Sequence, residues 1–595
     1  MDTPEQPVGL IDVPCDADVR KLLRARASSV DWLEFPALLR PPELAAIADQ
    51  ILKEEGLSRG FRSWLMVILA SSYWRDAVAT VPFHRRLLLL PEAAAALNGN
   101  GTDSRLAVEF GRLRPVAERL GYRIMDDSQL SSISRSIGAG EIDAVLGVSD
   151  LLGLEKAVDQ VMAWGVPCMA EPLLEDLPEL VDRESAERMI RLPYRPNGLE
   201  ERFGYHLVMR EARELFRLEN LNRLLPRETP TFFHVATGNH VRNRPSSSIV
   251  SENRSLENFI APLTGTAHIA YEFLSRGGKY FRPFITLATY NALTLNCSPG
   301  PNSANIPGTW STGVKRTAMS IEVFHKASLV HDDIEDNDDF RYGEPSIHKR
   351  YGTPTAINVG DYLVGLGYRL VSGCKAELGG DTVADLLDCL ASAHQRLSEG
   401  QGAELLWRDS PNKSLTPTEV LKVYALKTAP AFEVAFYSGL RLAGPVAETS
   451  ELVRAFSEYL GVAFQILNDL KDWCEDDTNK GAPGGDILQG RPTLLWALAL
   501  QAANADQQKQ LLALVEPNEN TSASARVEQV GRLYRQLGVF QEAAETVGRL
   551  EEQAWQIANR LEPESLSRLF GYLIRVVLQR PQGLNVMLTE SSDHA

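Results

Sequence analysis

The chain has 595 residues, more than one ordinary hydrophobic core accommodates, so two or more domains are expected. Its 44% hydrophobic and 23% charged residues are the composition of a globular protein. The formal charge is 61 − 78 = −17, which argues against nucleic acid as the main partner, because phosphate backbones select basic surfaces.

Six cysteines stand at positions 15, 168, 297, 374, 389 and 474 with no Cys-x-x-Cys pair, a pattern of neither a zinc site nor a disulfide framework. It fits a reducing compartment, and a cytoplasmic location is expected. The first residues lack a basic stretch followed by an apolar core, so no secretory leader is expected. The most apolar runs, 64–70 and 86–97, are too short for a membrane span.

From the N-terminus, residues 17–120 read as helices, including 18–27, 42–55 and 62–77. Short apolar runs at 122–125, 144–148 and 166–169 then alternate with helical patterns at 128–137 and 154–164, which predicts a small parallel sheet. Gly147, Ser149 and Asp150 follow the second of these strands, where α/β proteins often place ligand sites. Ordinary turn chemistry is the plainer reading, since Gly138, Gly140 and Gly147 form no Gly-x-Gly-x-x-Gly pattern. No function for this half is legible in its residues.

Pro226, Pro230, Gly238, Pro245 and Ser246-Ser-Ser248 interrupt periodicity between 226 and 256. The expected organisation is an N-terminal helical and α/β domain (1–225), a linker (226–256), an all-α domain (257–580) and a tail (581–595). The fold class is α+β multidomain with a C-terminal helical bundle. Within the bundle, 296–312 is rich in Pro, Ser, Asn and Gly and is expected to be an exposed loop.

Two apolar helical runs in the bundle open abruptly into carboxylates. In Ser328-Leu-Val-His-Asp-Asp-Ile-Glu-Asp336, Asp332 and Asp336 stand at i and i+4 and share a helix face. In Leu460-Gly-Val-Ala-Phe-Gln-Ile-Leu-Asn-Asp-Leu-Lys-Asp472, Asp469 and Asp472 are i and i+3. Facing helices that bring such ends together suit a hard divalent cation, Mg²⁺, shared with a substrate's phosphates. Taken singly, each acidic run also reads as a solvated helix end. Lys279, Arg282, Arg341, Lys427 and Lys480 are scattered between the clusters, as a diphosphate bridging those cations would require.

Residues 255–580 resemble the trans-isoprenyl diphosphate synthases, or polyprenyl synthetases. The matches come in the family's order: Gly277-Gly-Lys-Tyr-Phe-Arg-Pro283, His325, Asp332-Asp-Ile-Glu-Asp336 with Arg341 and Gly343, Gly360-Asp361, Glu399-Gly-Gln-Gly-Ala-Glu404, Lys427-Thr428, Phe464-Gln465 with the second acidic motif, and Gly485-Asp-Ile-Leu-Gln-Gly-Arg-Pro-Thr493. The resemblance implies an all-α fold and Mg²⁺-dependent condensation of isopentenyl diphosphate with an allylic diphosphate. It also implies roles. Asp332, Asp336, Asn468, Asp469 and Asp472 carry the metal. Arg341, Lys427 and Lys480 bind the allylic diphosphate, and Lys279, Arg282 and His325 the isopentenyl diphosphate. Thr428 and Gln465 lie near the cationic carbons, and with Lys427 and Arg341 are the expected catalytic residues. The departing diphosphate serves as base. A homodimer is expected, with peripheral membrane contact for product release.

Four positions depart from the family pattern. Tyr342 follows Arg341 where a second Arg is usual, Asn468 opens the second motif where Asp is usual, Lys471 places a positive charge inside that motif, and Arg491 stands where Lys is frequent. A terpene cyclase on the same fold is therefore the competing reading. Tyr342 favours it, and the retained Lys279, Arg282 and His325 oppose it, since a cyclase has no use for a second diphosphate pocket. A non-catalytic partner subunit is a third reading, opposed by the intact first acidic motif. For product length, Ala327 and Ser328 are small one turn before Asp332, and Phe324 lies two turns back on a similar face. A floor at that depth suits geranylgeranyl diphosphate.

Overall fold

Leu87–Leu90 is an uninterrupted apolar run, the pattern of a strand covered on both faces, and it lies at the heart of the N-terminal sheet. A computed structural model describes residues 13–32, 41–91, 104–126, 133, 136–137, 141–151, 154, 166–174, 181–195, 204–226, 264–294, 310–410, 413–446, 449–474, 484–488, 490–515, 522–581 and 584. The chain divides into two units: Met1–Arg217 with Ser275–Lys279, and Leu218–Leu274 with Tyr280–Ala595.

In the first unit, helices Ala17–Ser28, Pro41–Glu54 and Arg62–Ala79 precede strand β1 (Arg86–Leu90). The reading of 17–120 as wholly helical is corrected here. Five residues are too few for a helical stripe, and all five are buried, so their backbone bonds are made by neighbouring strands instead. The sheet is parallel, in the order β2 (Arg123–Asp126), β1, β3 (Ala144–Ser149), β4 (Cys168–Pro172). Gly147 and Ser149 lie within β3 rather than after it. The helices expected at 128–137 and 154–164 fall largely outside the described residues, as does most of the 226–256 linker.

Among its described residues the second unit is helical apart from one hairpin. Its long helices are Phe281–Thr294, Thr312–Glu335, Thr353–Ser372, Gly380–Asp409, Pro417–Ala443, Thr449–Asp472, Ala523–Gln536, Val539–Ala558 and Glu564–Val577. Caps set their ends. The Ser311 side chain accepts from the Val314 N–H, and Thr416 with Glu419 forms a capping box. The core is apolar and aromatic, with the Phe570 ring 4.4 Å from both Phe436 and Phe456. Each such ring contributes roughly 1.5–3 kcal/mol by leaving water.

Two glycines set the helix spacing around the site. A Cβ on Gly400 would stand 2.6 Å from the Lys427 backbone nitrogen, and one on Gly461 would stand 2.9 Å from Ala429 Cα. The 380–409, 417–443 and 449–472 helices thus approach backbone to backbone. Among the described residues no helix is long and apolar enough to cross a membrane. Of the expected 296–312 loop, 296–309 lies outside the described residues; Ser311 and Thr312 begin a helix.

Candidate active site

The Thr312–Glu335 helix ends as its sequence predicts. Asp336 caps it and donates its backbone N–H to the Asp332 carbonyl at 2.9 Å, so Asp332 and Asp336 do stand one turn apart. Asn337 then takes φ 55°, and the chain turns into the hairpin β5 (Phe340–Arg341) and β6 (Glu344–Pro345). Burial, together with repulsion from Glu335 and Asp336, pushes the Asp332 carboxyl up to about 7, against the attraction of Lys427 and Arg341. Asp336 is gripped by two guanidiniums. Arg408 Nη1 donates to its Oδ1 and Arg491 Nη2 to its Oδ2, each at 2.9 Å.

Arg491 ties the first acidic cluster to the second, for its Nη1 lies 3.6 Å from Asp486 Oδ1. Burial, with repulsion from Asp472 and Glu404, pushes the Asp486 carboxyl up to about 6. Asp472 accepts the Asp486 backbone N–H at 3.2 Å. Asn468 is exposed at the end of its helix. Asp469, expected as a metal ligand, is turned inward instead: it accepts from the Tyr424 hydroxyl and from the Leu494 N–H at 3.2 Å. Lys427 Nζ donates to Glu404 Oε2 at 2.7 Å, and Thr428 Oγ1 donates to Gln465 Oε1 at 3.5 Å, so the two expected carbon-facing groups are brought together.

A second cationic neighbourhood lies further back on the Asp332 helix. Arg282 Nη1 is 4.0 Å from Glu322 Oε2, and burial lowers its pKa. His325 is held well below its ordinary value by burial first, then by Arg282, Lys326 and Arg341, so its imidazole is neutral. Arg341 is engaged differently from expectation. Its Nε donates to the buried Asp333 at 2.7 Å, and its Nη2 contacts Asp333 and lies 3.3 Å from Asp338. Lys279 is exposed, in the segment that contacts assign to the first unit. Lys480 lies outside the described residues.

Sequence reasoning missed Arg408, Glu322 and Lys326 as members of these clusters. Arg408 follows Glu404 by one turn, which was a usable signal; Lys326 adjoins His325, and the aromatic rings around it come from other segments of the chain.

Among the described residues no three His, Cys, Asp or Glu side chains group closely enough to hold a metal unaided. The donors nevertheless fit Mg²⁺ shared with phosphate oxygens and water, its usual mode. Of the carboxylates Asp332, Asp336, Asp472 and Asp486, three are pushed toward neutrality by burial, and a divalent cation would relieve that penalty.

Residues 265–534 match the polyprenyl synthetase family. The chain is 30% identical to the short chain isoprenyl diphosphate synthase of Methanocaldococcus jannaschii, over 41% of this chain and 68% of that one. It is likewise 30% identical to the geranylgeranyl diphosphate synthase of Sulfolobus acidocaldarius, over 41% of this chain and 69% of that one. Other relatives are named for octaprenyl and geranylfarnesyl diphosphate. A solved geranylgeranyl pyrophosphate synthetase from Pyrococcus horikoshii Ot3 is 27% identical with a TM-score of 0.45, covering 53% of this chain and 92% of that one. An ordered motif series, a predominantly helical second unit that brings two acidic helix ends together, and relatives matched over two thirds of their length agree: the chain belongs to the polyprenyl synthetase family.

Proposed function

We propose that the protein condenses isopentenyl diphosphate with an allylic diphosphate to give an all-trans prenyl diphosphate, with geranylgeranyl diphosphate as the main product. The observation that carries this reading is Arg491, which reaches Asp336 at 2.9 Å and Asp486 at 3.6 Å and so joins the two acidic motifs at one mouth. Asp332, Asp336, Asp472 and Asp486 would hold Mg²⁺, with the exposed Asn468 offering a neutral oxygen at the second motif. The bound cation supplies charge neutralisation to a departing diphosphate. Lys427, Arg408 and Arg491 add fixed positive charge there, preorganised by Glu404 and Asp336. Thr428 and Gln465 direct oxygen dipoles at the carbons that become cationic. Arg282 and the neutral His325 would receive the second diphosphate, with Lys279 and Lys480 as further contacts on the strength of the motif alone.

Product length is proposed from the same helix. The Phe324 ring stacks edge-on against Tyr368 at 4.7 Å and lies 5.6 Å from His394, a stop about two turns below Asp332. We further propose a cytoplasmic homodimer that contacts membrane on releasing its product; light scattering and vesicle flotation check these. The enzymatic test is incubation with Mg²⁺, labelled isopentenyl diphosphate and geranyl or farnesyl diphosphate, followed by product sizing. A labelled twenty-carbon diphosphate is expected. Absence of label from any prenyl product contradicts condensation, and a twenty-carbon hydrocarbon formed from geranylgeranyl diphosphate alone supports the cyclase reading.

A further inference from the structure

Lys326 carries an ammonium group in a place closed to water. Its side chain is 0% exposed, on the Thr312–Glu335 helix next to His325. Its Nζ lies 4.2 Å from the ring centroid of Tyr342, 5.4 Å from that of Phe273 and 5.6 Å from that of Tyr280. Aromatic faces attract an ammonium, and in a dry interior electrostatic interactions reach further than they would in water. Glu322, one turn back on the same helix and itself buried, faces both Lys326 and Arg282.

Tyr342 is delivered onto Lys326 by an unusual backbone. It takes φ 55°, followed by Gly343 at φ 79°, at the turn of the β5–β6 hairpin. A non-glycine residue there costs about 1–2 kcal/mol, so the conformation needs support from its surroundings. The side chain also lies in the fields of Glu322, Arg341, Arg282 and Asp333, and two of these charges, Arg282 and Arg341, act on His325 as well.

We propose that Lys326 is a positioning residue of the isopentenyl diphosphate pocket: seated on the Tyr342 ring, it restores the positive charge that an arginine at 342 brings in the family pattern, and it fixes Tyr342 so that the phenol hydroxyl donates to the diphosphate. Lys326 acts through Tyr342 and through its field, since its own side chain is sealed from solvent. The inference rests on the condensation reading of the site.

The test is calorimetric titration of isopentenyl diphosphate, with no allylic partner, into the full-length wild type, Lys326→Met and Lys326→Met/Tyr342→Arg. Geranyl diphosphate titrations and melting temperatures accompany each. Loss of the charge that holds Tyr342 in place predicts binding weakened about tenfold in Lys326→Met. Recovery is expected in the double variant, with geranyl diphosphate affinity unchanged throughout. Wild-type affinity in Lys326→Met, equal weakening of both ligands, or a double variant no better than the single one overturns the proposal. Should Lys326→Met not fold, Tyr342→Leu keeps the lysine, and unchanged isopentenyl diphosphate binding there also overturns it. The condensation assay on the wild type separates the two claims. A wild type that binds isopentenyl diphosphate without condensing it contradicts the function, whereas active enzyme whose variants bind normally contradicts only this inference.

Discussion

Asp332 and Asp336 share a helix face, yet their neighbours treat them differently. Asp336 holds two arginines, while Asp332 is half-buried and pushed up to about 7, with Lys427 the strongest opposing charge. A carboxylate that is poorly stabilised by the protein alone gains most from a divalent cation. Asp332→Ala should therefore lower kcat about a hundredfold or more at saturating Mg²⁺ and substrate, measured by label incorporation. Full turnover in that variant rules out its metal role. Asn468→Asp should lower the Mg²⁺ concentration needed for half-maximal rate, since it places a charged hard ligand at an exposed helix end; an unchanged Mg²⁺ requirement assigns that side to Asp472 and Asp486. The pairing of Asp332 with Asp336 was legible because both belong to one helix, where i and i+4 share a face. The inward turn of Asp469 was legible only in part. Adjacent helical residues stand about 100° apart, so Asn468 and Asp469 cannot both face one cavity. Which of them turns away depends on Tyr424 and Leu494, contributed by other elements.

Between elements, spacing decides the chemistry. Gly400 lets the helix bearing Glu404 and Arg408 lie against the backbone of Lys427. Gly400→Ala would force those helices apart, with a destabilisation of about 1–3 kcal/mol. A lower melting temperature and impaired condensation are expected together, and an unshifted melting temperature would show that the contact is not tight. The helix leading into Asp332 should also set product length. Phe324→Ala removes the ring that meets Tyr368 and His394, so longer products are expected. Ala327→Phe adds bulk one turn nearer the mouth and should shorten them. If chromatography gives the wild-type distribution for both, the tunnel runs elsewhere. The helices of this unit were readable because their apolar residues recur at 3.6-residue spacing over twenty residues or more. Strand β1 was not, because an apolar run of four has no period to read and its partners arrive from residues 123 and 144 onward.

The molecule as a whole carries a formal charge of −17 while its proposed substrates are anions, so attraction must be local, at Arg282, Lys427, Arg408 and Arg491. The first unit has its own parallel sheet and buried core, and the residues assigned to the acidic mouth all belong to the second. A fragment beginning at Leu218 should therefore fold and condense substrates; a folded fragment without activity would give the first unit a part in the chemistry. The central claim is that isopentenyl diphosphate, rather than the allylic chain itself, captures the ionised carbon. It is tested most directly by counting diphosphate released against isopentenyl diphosphate consumed, with and without the latter. Release that requires isopentenyl diphosphate and matches its consumption one for one is the predicted result, and sustained diphosphate release from the allylic substrate alone would contradict it.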